Sequence, residues 1–313
     1  MRINCPRTVR VWSTAFSVVA VAVGGALAQT PPLTLPVGRG PEGLTVAFDG
    51  ATLCIWVASQ FSNTVTKLRA SDGSVLGTFQ VGNRPVAVVA SIGPTGAASI
   101  WVANNRSNTV TKLQASNGAV LGTFSAGDGP QGLAFDGQNI WVTNERGNSV
   151  TKLRASDGAN LGTFAVGKRP VGVAFDGSNI WVANQLSNTV TKLSALDGRT
   201  LGNFGVGNGP FAVKFFGDYI WVANYFGGSV MKLSPATGVA VGTYAVGDGP
   251  AGFATDGTYL WVTNNGSGNV MKLDPDTGRV LGTMVVGRSP FGVVFDGAHI
   301  WVASFGTNTV SRL

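Results

Sequence analysis

The chain has 313 residues, of which 44% are hydrophobic, 12% are charged and 45 are glycine, and its formal net charge is +7. This composition supplies enough apolar residues for a sizeable core, and it excludes an architecture of long, solvated helices. Length alone would suggest two domains, but an internal repeat overrides that estimate.

Residues 1–28 have the features of a segment that directs export. Three arginines precede a short apolar run, and the run ends in Ala26-Leu27-Ala28. A positive start, an apolar stretch and a small-residue cleavage site are typical of a secretory signal peptide. We therefore predict export to the periplasm or the extracellular space, with a single mature domain over 29–313 and no membrane span within it. An uncleaved N-terminal anchor is the alternative interpretation.

Cleavage of this segment would change the charge and the cysteine content of the chain. It removes three arginines and no acidic residue, so the net charge falls from +7 to +4. It also removes Cys5 and leaves Cys54 alone, so no internal disulfide can form and packing must supply the stability. Cys54 precedes Ile55-Trp56 in a strand-like run, and we expect it to be a buried, inert thiol.

A repeat of about 40 residues fills the rest of the chain. Its tryptophans are spaced by 45 residues once and then by 40 residues five times, at Trp56, Trp101, Trp141, Trp181, Trp221, Trp261 and Trp301. Each repeat contains four short runs rich in Val, Ile, Phe, Trp and Thr, separated by Gly, Asn or Asp turns, which predicts strands joined by hairpins. A four-stranded unit cannot bury both of its faces alone. At this period it predicts an all-β fold, a seven-bladed β-propeller.

Within a blade, the runs of the type GVAF, IWVAN, TVTKL and LGTF predict the inner strand a, strands b and c, and the outer strand d. We expect each tryptophan to pack between neighbouring blades. The last repeat ends after its third strand, whereas LTLPVGRGP at 33–41 aligns with the end of a fourth strand. The N-terminal strand is therefore predicted to complete the seventh blade and close the ring, which removes the open sheet edges. Extra residues of the first two repeats fall in strand a and the a–b turn, including the loop 91–99.

The IWVAN and VTKL patterns, which recur over residues 33–313, resemble the 40-residue YVTN-type β-propeller family. That family is related in fold to NHL repeats and to streptogramin (virginiamycin B) lyases. Val follows each of the seven repeat tryptophans, so the repeats lack the Trp-Asp dipeptide of the WD-repeat propellers. The resemblance implies the propeller fold over nearly the whole mature chain. It implies no single function, because propellers carry binding, lyase, lactonase and redox activities.

The variable positions of the repeat fall on one face of the predicted propeller. There the d–a and b–c loops surround the mouth of the central channel, and the residue after each repeated Pro lies at its rim. These positions carry charged, amide and aromatic side chains, which suit a sugar, a peptide or an anionic small molecule. Our candidate ligand-binding residues are Glu42, Arg84, Gln131, Arg169, Tyr225, Phe226 and Arg288. Ordinary decoration of variable loops is the alternative.

Two recurring sets of charged residues have structural explanations. Aspartates recur in turns on the opposite face, and turn chemistry explains them better than metal binding does. Strand c carries one cation per repeat, and we expect these side chains to be solvated rather than to form a nucleic-acid-binding ring. The two sets are Asp49, Asp136, Asp176, Asp256 and Asp296, and Lys67, Lys112, Lys152, Lys192, Lys232, Lys272 and Arg312.

No catalytic constellation is evident in the sequence. The resemblance implies that lyase relatives would use His and Glu with a divalent metal, and that lactonase-type propellers would use Glu with Asn or Asp oxygens. This chain has one histidine, His299, in an a–b turn on the other face, and two glutamates, Glu42 and Glu145. Glu42 is a weak candidate ligand for Ca²⁺ or Mg²⁺, together with the Asn residues that end strand b. Capping of the strand b turn is the preferred explanation of those residues, which are Asn104, Asn144, Asn184, Asn224 and Asn264.

The sequence thus predicts an exported, monomeric propeller that acts without a cofactor as a non-catalytic scaffold. Its partner at the mouth would be a small molecule, a glycan, a peptide or a protein, and not a nucleic acid. The alternative is a metal-assisted enzyme of the lyase or lactonase type that uses the same mouth.

Overall fold

The computed structural model describes residues 32–93 and 96–313, which form seven four-stranded antiparallel sheets. The predicted signal segment 1–28 lies outside the described residues. Each sheet is one blade, and its strands pair in order from the inner strand a to the outer strand d. The predicted seven-bladed β-propeller is therefore confirmed. No helix among the described residues is long and apolar enough to cross a membrane.

The strands follow the order of the repeats, except that the first strand belongs to the last blade. Blade 7 consists of β26, β27, β28 and β1, and blades 1 to 6 take the strands between β2 and β25 four at a time. The strands are β1 (Leu33–Pro36), β2 (Pro41–Phe48), β3 (Leu53–Ser59), β4 (Thr64–Arg69), β5 (Val75–Gln80), β6 (Pro85–Ile92), β7 (Ala98–Asn104), β8 (Thr109–Gln114), β9 (Val120–Ser125), β10 (Pro130–Phe135), β11 (Asn139–Asn144), β12 (Ser149–Arg154), β13 (Asn160–Ala165), β14 (Pro170–Phe175), β15 (Asn179–Asn184), β16 (Thr189–Ser194), β17 (Thr200–Gly205), β18 (Pro210–Phe216), β19 (Tyr219–Asn224), β20 (Ser229–Leu233), β21 (Ala240–Ala245), β22 (Pro250–Thr255), β23 (Leu260–Asn264), β24 (Asn269–Leu273), β25 (Val280–Val285), β26 (Pro290–Phe295), β27 (Ile300–Ser304) and β28 (Thr309–Arg312). A 3-10 turn at Tyr225–Gly227 separates β19 from β20.

The N-terminal strand closes the ring as predicted. β1 pairs antiparallel with β28, and Leu35 lies opposite Val310. Leu35 also packs against Gly73 in the c–d turn of blade 1, as Phe79 of blade 1 packs against Gly118 of blade 2. Gly73 has a φ of 78°, and a Cβ there would overlap the Leu35 side chain, so glycine is required at this contact. Leu35 therefore takes the place that an aromatic residue holds in other outer strands.

Each repeat tryptophan packs between its own blade and the next, as expected. Trp56 of blade 1 is buried against Ile100 and Val102 of blade 2, and Trp301 of blade 7 is buried against Ile55 of blade 1. The indole N–H groups of four blades donate to the turn aspartates, as from Trp141 to Asp136 at 2.7 Å. The turn aspartates thus fix a tryptophan as well as a turn.

The expectation that the strand c cations are solvated is wrong. Lys67 is 3% exposed, and its Nζ donates to the carbonyl oxygens of Ala115 (2.9 Å) and Ser116 (3.0 Å) in the c–d turn of blade 2. The same bridge to the following blade is made by Lys112, Lys152, Lys192 and Lys232, and by Arg312 from blade 7 to blade 1. Because the head group also lies over the indole of its own blade, each of these six cations fastens two blades together. Lys272 makes no such bridge among the described residues, and its Nζ lies 3.9 Å from Asp256 of its own blade.

Candidate functional site

The d–a and b–c loops meet on one face around the central channel, and we call this face the mouth. At every blade, the first amide of the b–c loop donates to a carbonyl of the preceding d–a loop, as from Asn105 to Arg84 at 2.8 Å. These main-chain bonds hold the loops in fixed positions. The side chains of the mouth are therefore presented on a rigid frame.

Two rings of seven positions line the mouth. The first ring follows the Pro that begins each inner strand, where the pairing of strands a and b shifts register in all blades. Such a bulge turns the side chain toward the channel. The first ring is Glu42, Val86, Gln131, Val171, Phe211, Ala251 and Phe291. The second ring follows strand b and is Gln60, Asn105, Glu145, Gln185, Tyr225, Asn265 and Phe305.

On one side of the mouth, six side chains form a continuous hydrogen-bonded chain that we call the polar network. Its centre is Glu42, whose Oε2 accepts from Gln60 Nε2 at 2.6 Å and whose Oε1 accepts from Gln131 Nε2 at 3.1 Å. Gln60 Oε1 accepts in turn from Arg84 Nε at 3.0 Å. Three of the predicted site residues, Glu42, Arg84 and Gln131, are thus brought together.

The polar network continues from Gln131 into blades 2 and 3. Gln131 Oε1 accepts from Asn105 Nδ2 at 3.1 Å, and Asn105 Oδ1 accepts from Arg146 Nη1 at 3.1 Å. The network therefore has an arginine at each end and a carboxyl group in the middle. Since every link is made between side chains of different loops or strands, it stiffens the mouth across blades 1 to 3.

The carboxyl group of Glu42 is the most perturbed acid of the mouth. Burial raises its pKa from 4.5 to about 7, against the lowering effects of the Arg84 charge and the Gln131 hydrogen bond, while Glu145 adds a small rise. The residue as a whole keeps partial exposure at the channel, but its carboxyl group is surrounded by protein. Glu42 therefore changes charge near neutral pH.

On the other side of the mouth, six aromatic rings form a continuous row that we call the aromatic arc. Neighbouring ring centroids are 5.3 to 5.9 Å apart, within the usual range for aromatic pairs. The two ends of the arc are 59% and 56% exposed, and the rings between them are half-buried. In order, the arc is Phe61, Phe305, Phe291, Phe211, Tyr225 and Phe226.

Two exposed arginines stand beside the Phe61 end of the arc. Phe61 N donates to the carbonyl oxygen of Arg39 at 3.0 Å, and Gly306 N, next to Phe305, donates to that of Arg288 at 2.9 Å. Neither arginine forms an ion pair with another residue in the described ranges. The predicted site residue Arg288 thus lies next to the arc that contains the predicted Tyr225 and Phe226.

The remaining predicted residue, Arg169, belongs to neither group, although it lies near Arg146 at the end of the polar network. It is exposed on the outer rim beside Glu145, Arg146 and Lys168. Between the polar network and the arc lies Gln185, which is 4% exposed and whose Oε1 has no hydrogen-bond partner among the described residues. A ligand donor that reached Gln185 would find an acceptor there.

The asparagines considered as metal ligands point into the blades. Asn144 is buried, and its Nδ2 donates to Ser149 and Thr151 while its Oδ1 accepts from Gly127 N. The other four are also fully buried at the end of strand b, and each Nδ2 donates to the first residue of strand c, which fits the capping explanation. Their Oδ1 atoms have no hydrogen-bond partner among the described residues. His299 lies in its a–b turn on the opposite face, 3.5 Å from Asp296. Among the described residues, no three His, Cys, Asp or Glu side chains cluster as a metal site would require.

Sequence reasoning missed Gln60 and Asn105, which connect the predicted residues to one another. The sequence does contain a signal for them. The position after the last residue of strand b occurs once in every repeat, and a different kind of side chain stands there in different blades. Phe211 and Phe291 follow a repeated Pro, and Phe305 follows strand b, so the repeat places all three at the mouth, but they are not among the predicted site residues. Their contribution depends on contacts between blades, which the repeat alignment does not show.

Comparisons with known proteins agree with this architecture. A "Streptogramin B lyase structure" superposes with a TM-score of 0.75 at 19% identity, covering 90% of this chain and 95% of that chain. A "Kuenenia stuttgartiensis Hydrazine Synthase" structure gives 0.77 at 20% identity, covering 92% and 99%. No protein-family model and no curated protein matches. At these identities the likeness shows the fold alone, so the resemblance to the YVTN-type family stays a prediction.

Proposed function

We propose that this protein is an exported, non-catalytic binding protein whose mouth takes a small anion carrying an aromatic ring. The proposal rests on the division of the mouth into two sides. The aromatic arc lies on one side, next to Arg39 and Arg288, which form no ion pair in the described ranges, and the polar network lies on the other side. The export part of the proposal rests on the composition of residues 1–28.

The aromatic arc supports the ring portion of this ligand. Phe61 and Phe226 are largely exposed although neighbouring rings are available to cover them. Exposed aromatic rings at the end of a stacked row offer a flat surface on which another ring can stack. Such a surface is typical of a binding site rather than of a stabilising cluster.

The charge of the rim supports the anionic portion. The mouth loops and first ring carry more cations than acids: Arg39, Arg84, Arg106, Arg146, Lys168, Arg169 and Arg288 against Glu42, Asp128, Glu145 and Asp248. Asp128 is already paired with Arg146 at 2.9 Å, whereas Arg39 and Arg288 beside the arc have no acidic partner in the described ranges. An excess of positive charge attracts anions to the mouth and holds a carboxylate near the arc.

The test is calorimetric titration of the full chain with 2-naphthoate and with its uncharged analogue 2-naphthamide. We expect 2-naphthoate to bind more tightly, and its affinity to fall as salt screens the exposed arginines. Phe61→Ala should weaken binding of both compounds about five- to tenfold. Arg288→Gln should weaken only 2-naphthoate, by about threefold at low salt.

Two controls lie on the opposite face, away from the mouth. Leu196, in a c–d turn, is 88% exposed, and Arg199 is also exposed there. Leu196→Ala and Arg199→Gln should leave both affinities unchanged. Equal affinity for the acid and the amide, or loss of binding in the control variants, would contradict the proposed site.

The second candidate function is a metal-assisted enzyme that uses the same mouth. The observation that favours it is the raised pKa of Glu42. A carboxyl group with a pKa of about 7 suits general acid–base catalysis at neutral pH. Its two oxygens already accept hydrogen bonds, however, and the neighbouring asparagines are committed to the blades. A rise of the melting temperature on replacing chelator with Ca²⁺ or Mg²⁺, lost in Glu42→Gln, would favour this candidate over the first.

A further inference from the structure

A cleft between blades 1 and 2 lies on the face opposite the mouth. The inner strands of these two blades, β2 and β6, have eight residues, whereas the inner strands of the other blades have six or seven. Two additional residues extend a strand by roughly 7 Å. The inner strands of blades 1 and 2 therefore extend further on this face than those of the other blades, and a cleft of about 560 Å³ lies between them.

The walls of this cleft are mainly apolar. Phe48 and Ile92, at equivalent positions in the two hairpins, are 58% and 67% exposed at its edge. Deeper in the cleft are the small side chains of Ala47, Ala90 and Ala98, which leave room between the blades. A volume of this size takes a small ring-containing molecule.

A buried hydrogen-bond donor without a partner lies behind the alanines that line this cleft. The indole N–H of Trp56 is fully buried and has no acceptor among the described residues. The six other repeat indoles all have one. The acceptors are Ser91 for Trp101, Asp136 for Trp141, Asp176 for Trp181, the Phe216 carbonyl for Trp221, Asp256 for Trp261 and Asp296 for Trp301.

Two features explain why Trp56 differs. Ser91, which accepts from Trp101 in the equally long hairpin of blade 2, is replaced at the equivalent position of blade 1 by Ala47, which lines the cleft and has no hydroxyl group. Asp49 precedes Trp56 by seven residues instead of five, and its Oδ2 accepts from Lys67 Nζ at 2.7 Å rather than from the indole. Trp56 packs in one cluster with Ala47, Ala90, Ala98 and Ala115, all of which line the cleft. An unpaired buried donor lowers the stability of the folded state unless something else accepts its hydrogen bond.

We propose that the cleft between blades 1 and 2 is a second binding site, which takes a small neutral molecule with an apolar ring and a carbonyl-type acceptor. The ring occupies the alanine-lined space between Phe48 and Ile92, and the acceptor receives the hydrogen bond of the Trp56 indole. This site is independent of the mouth, since it lies on the opposite face and uses none of the same residues.

The test is a titration of the ¹⁵N-labelled full chain with acetophenone, followed through the indole N–H resonances of its eight tryptophans. Loss of one resonance in Trp56→Phe identifies the signal of Trp56. We expect a saturable shift concentrated on this resonance. Ethylbenzene has a similar ring but no acceptor, and it should bind about fivefold or more weakly.

Ala115→Leu narrows the cleft and should abolish the shift, whereas Ala155→Leu, at the same position in blade 3, should leave it unchanged. The pair is well matched, because the carbonyl oxygens of Ala115 and Ala155 accept from Lys67 and Lys112 in the same way. Should Ala115→Leu fail to fold, Phe48→Ser at the exposed edge should still weaken binding. No saturable shift, equal shifts at several indoles, or a Trp56 signal that depends on protein concentration before any probe is added would overturn the proposal. The last result would place a second copy of the chain in the cleft.

Discussion

Glu42 differs from its six counterparts in the first ring of the mouth, none of which can ionise. Its carboxyl group accepts hydrogen bonds from Gln60 and Gln131, yet burial outweighs these bonds and the attraction of Arg84. The native state therefore holds the proton up to about neutral pH. A protonated carboxyl group keeps one of these bonds through its carbonyl oxygen, whereas an amide that rotated to accept from the hydroxyl group would give up its bond with Arg84 or Asn105.

The raised pKa of Glu42 predicts that the stability of the folded protein depends on pH through this one residue. The folded pKa of Glu42 is about 7 and its ordinary value is 4.5, so the native state binds the proton more tightly than the unfolded state does. The free energy of unfolding should consequently fall as pH rises from about 4.5 to about 7, by up to about 3 kcal/mol, and then level off.

The measurement is the melting temperature between pH 4 and 8 for the parent chain and for Glu42→Gln. The difference between the two should change through this window in favour of the variant as pH rises. Glu145→Gln is the matched control, because Glu145 lies in the second ring and makes only the smallest contribution to the shift of Glu42. A constant difference between parent and Glu42→Gln across the window would show that Glu42 is not buried in this way.

Strand c carries a cation that stabilises the ring of blades and lies outside the mouth. In six blades this cation donates to carbonyl oxygens in the c–d turn of the following blade, as Lys152 does to Ala195 and Leu196. Lys152 is 7% exposed and lies over Trp141. Because charged hydrogen bonds at a buried junction are stronger than solvated ones, the set of cations stabilises the contact between blades.

Lys152→Met keeps the length of the side chain and removes the charge and both hydrogen bonds. We expect it to destabilise the protein by about 1–3 kcal/mol, seen as a lower melting temperature. Lys168→Met is the control, since Lys168 is exposed in a d–a loop and its side chain makes no hydrogen bond among the described residues. Equal melting temperatures for the two variants would restore the interpretation of solvated strand c cations.

At the scale of the whole molecule, the fold was predictable because it repeats. The tryptophan spacing, the turn residues and the match between 33–41 and the ends of other outer strands specify local features that must recur in every blade. The pattern of one repeat alone predicts the fold weakly, but seven copies at a nearly constant spacing predict a β-propeller strongly. The closing pair of β1 with β28 follows from the same alignment.

The sites were less predictable, because they depend on contacts between residues far apart in the chain. Glu42 and Gln131 are 89 residues apart and belong to blades 1 and 3, yet they share a hydrogen bond. The burial of Lys67 depends on carbonyl groups of the next blade, which a solvated-strand interpretation ignores. The unpaired indole of Trp56 is likewise evident only when its partners in space are known.

A direct test compares Phe61→Ala with Lys152→Met for both melting temperature and 2-naphthoate affinity. We infer that repeated residues hold the ring of blades and that unlike residues at the mouth bind the ligand. This division of roles predicts that Phe61→Ala weakens binding about five- to tenfold with little change in melting temperature. Lys152→Met should lower the melting temperature and leave the affinity unchanged. Parent-like affinity in Phe61→Ala, or parallel losses of stability and affinity in both variants, would contradict it.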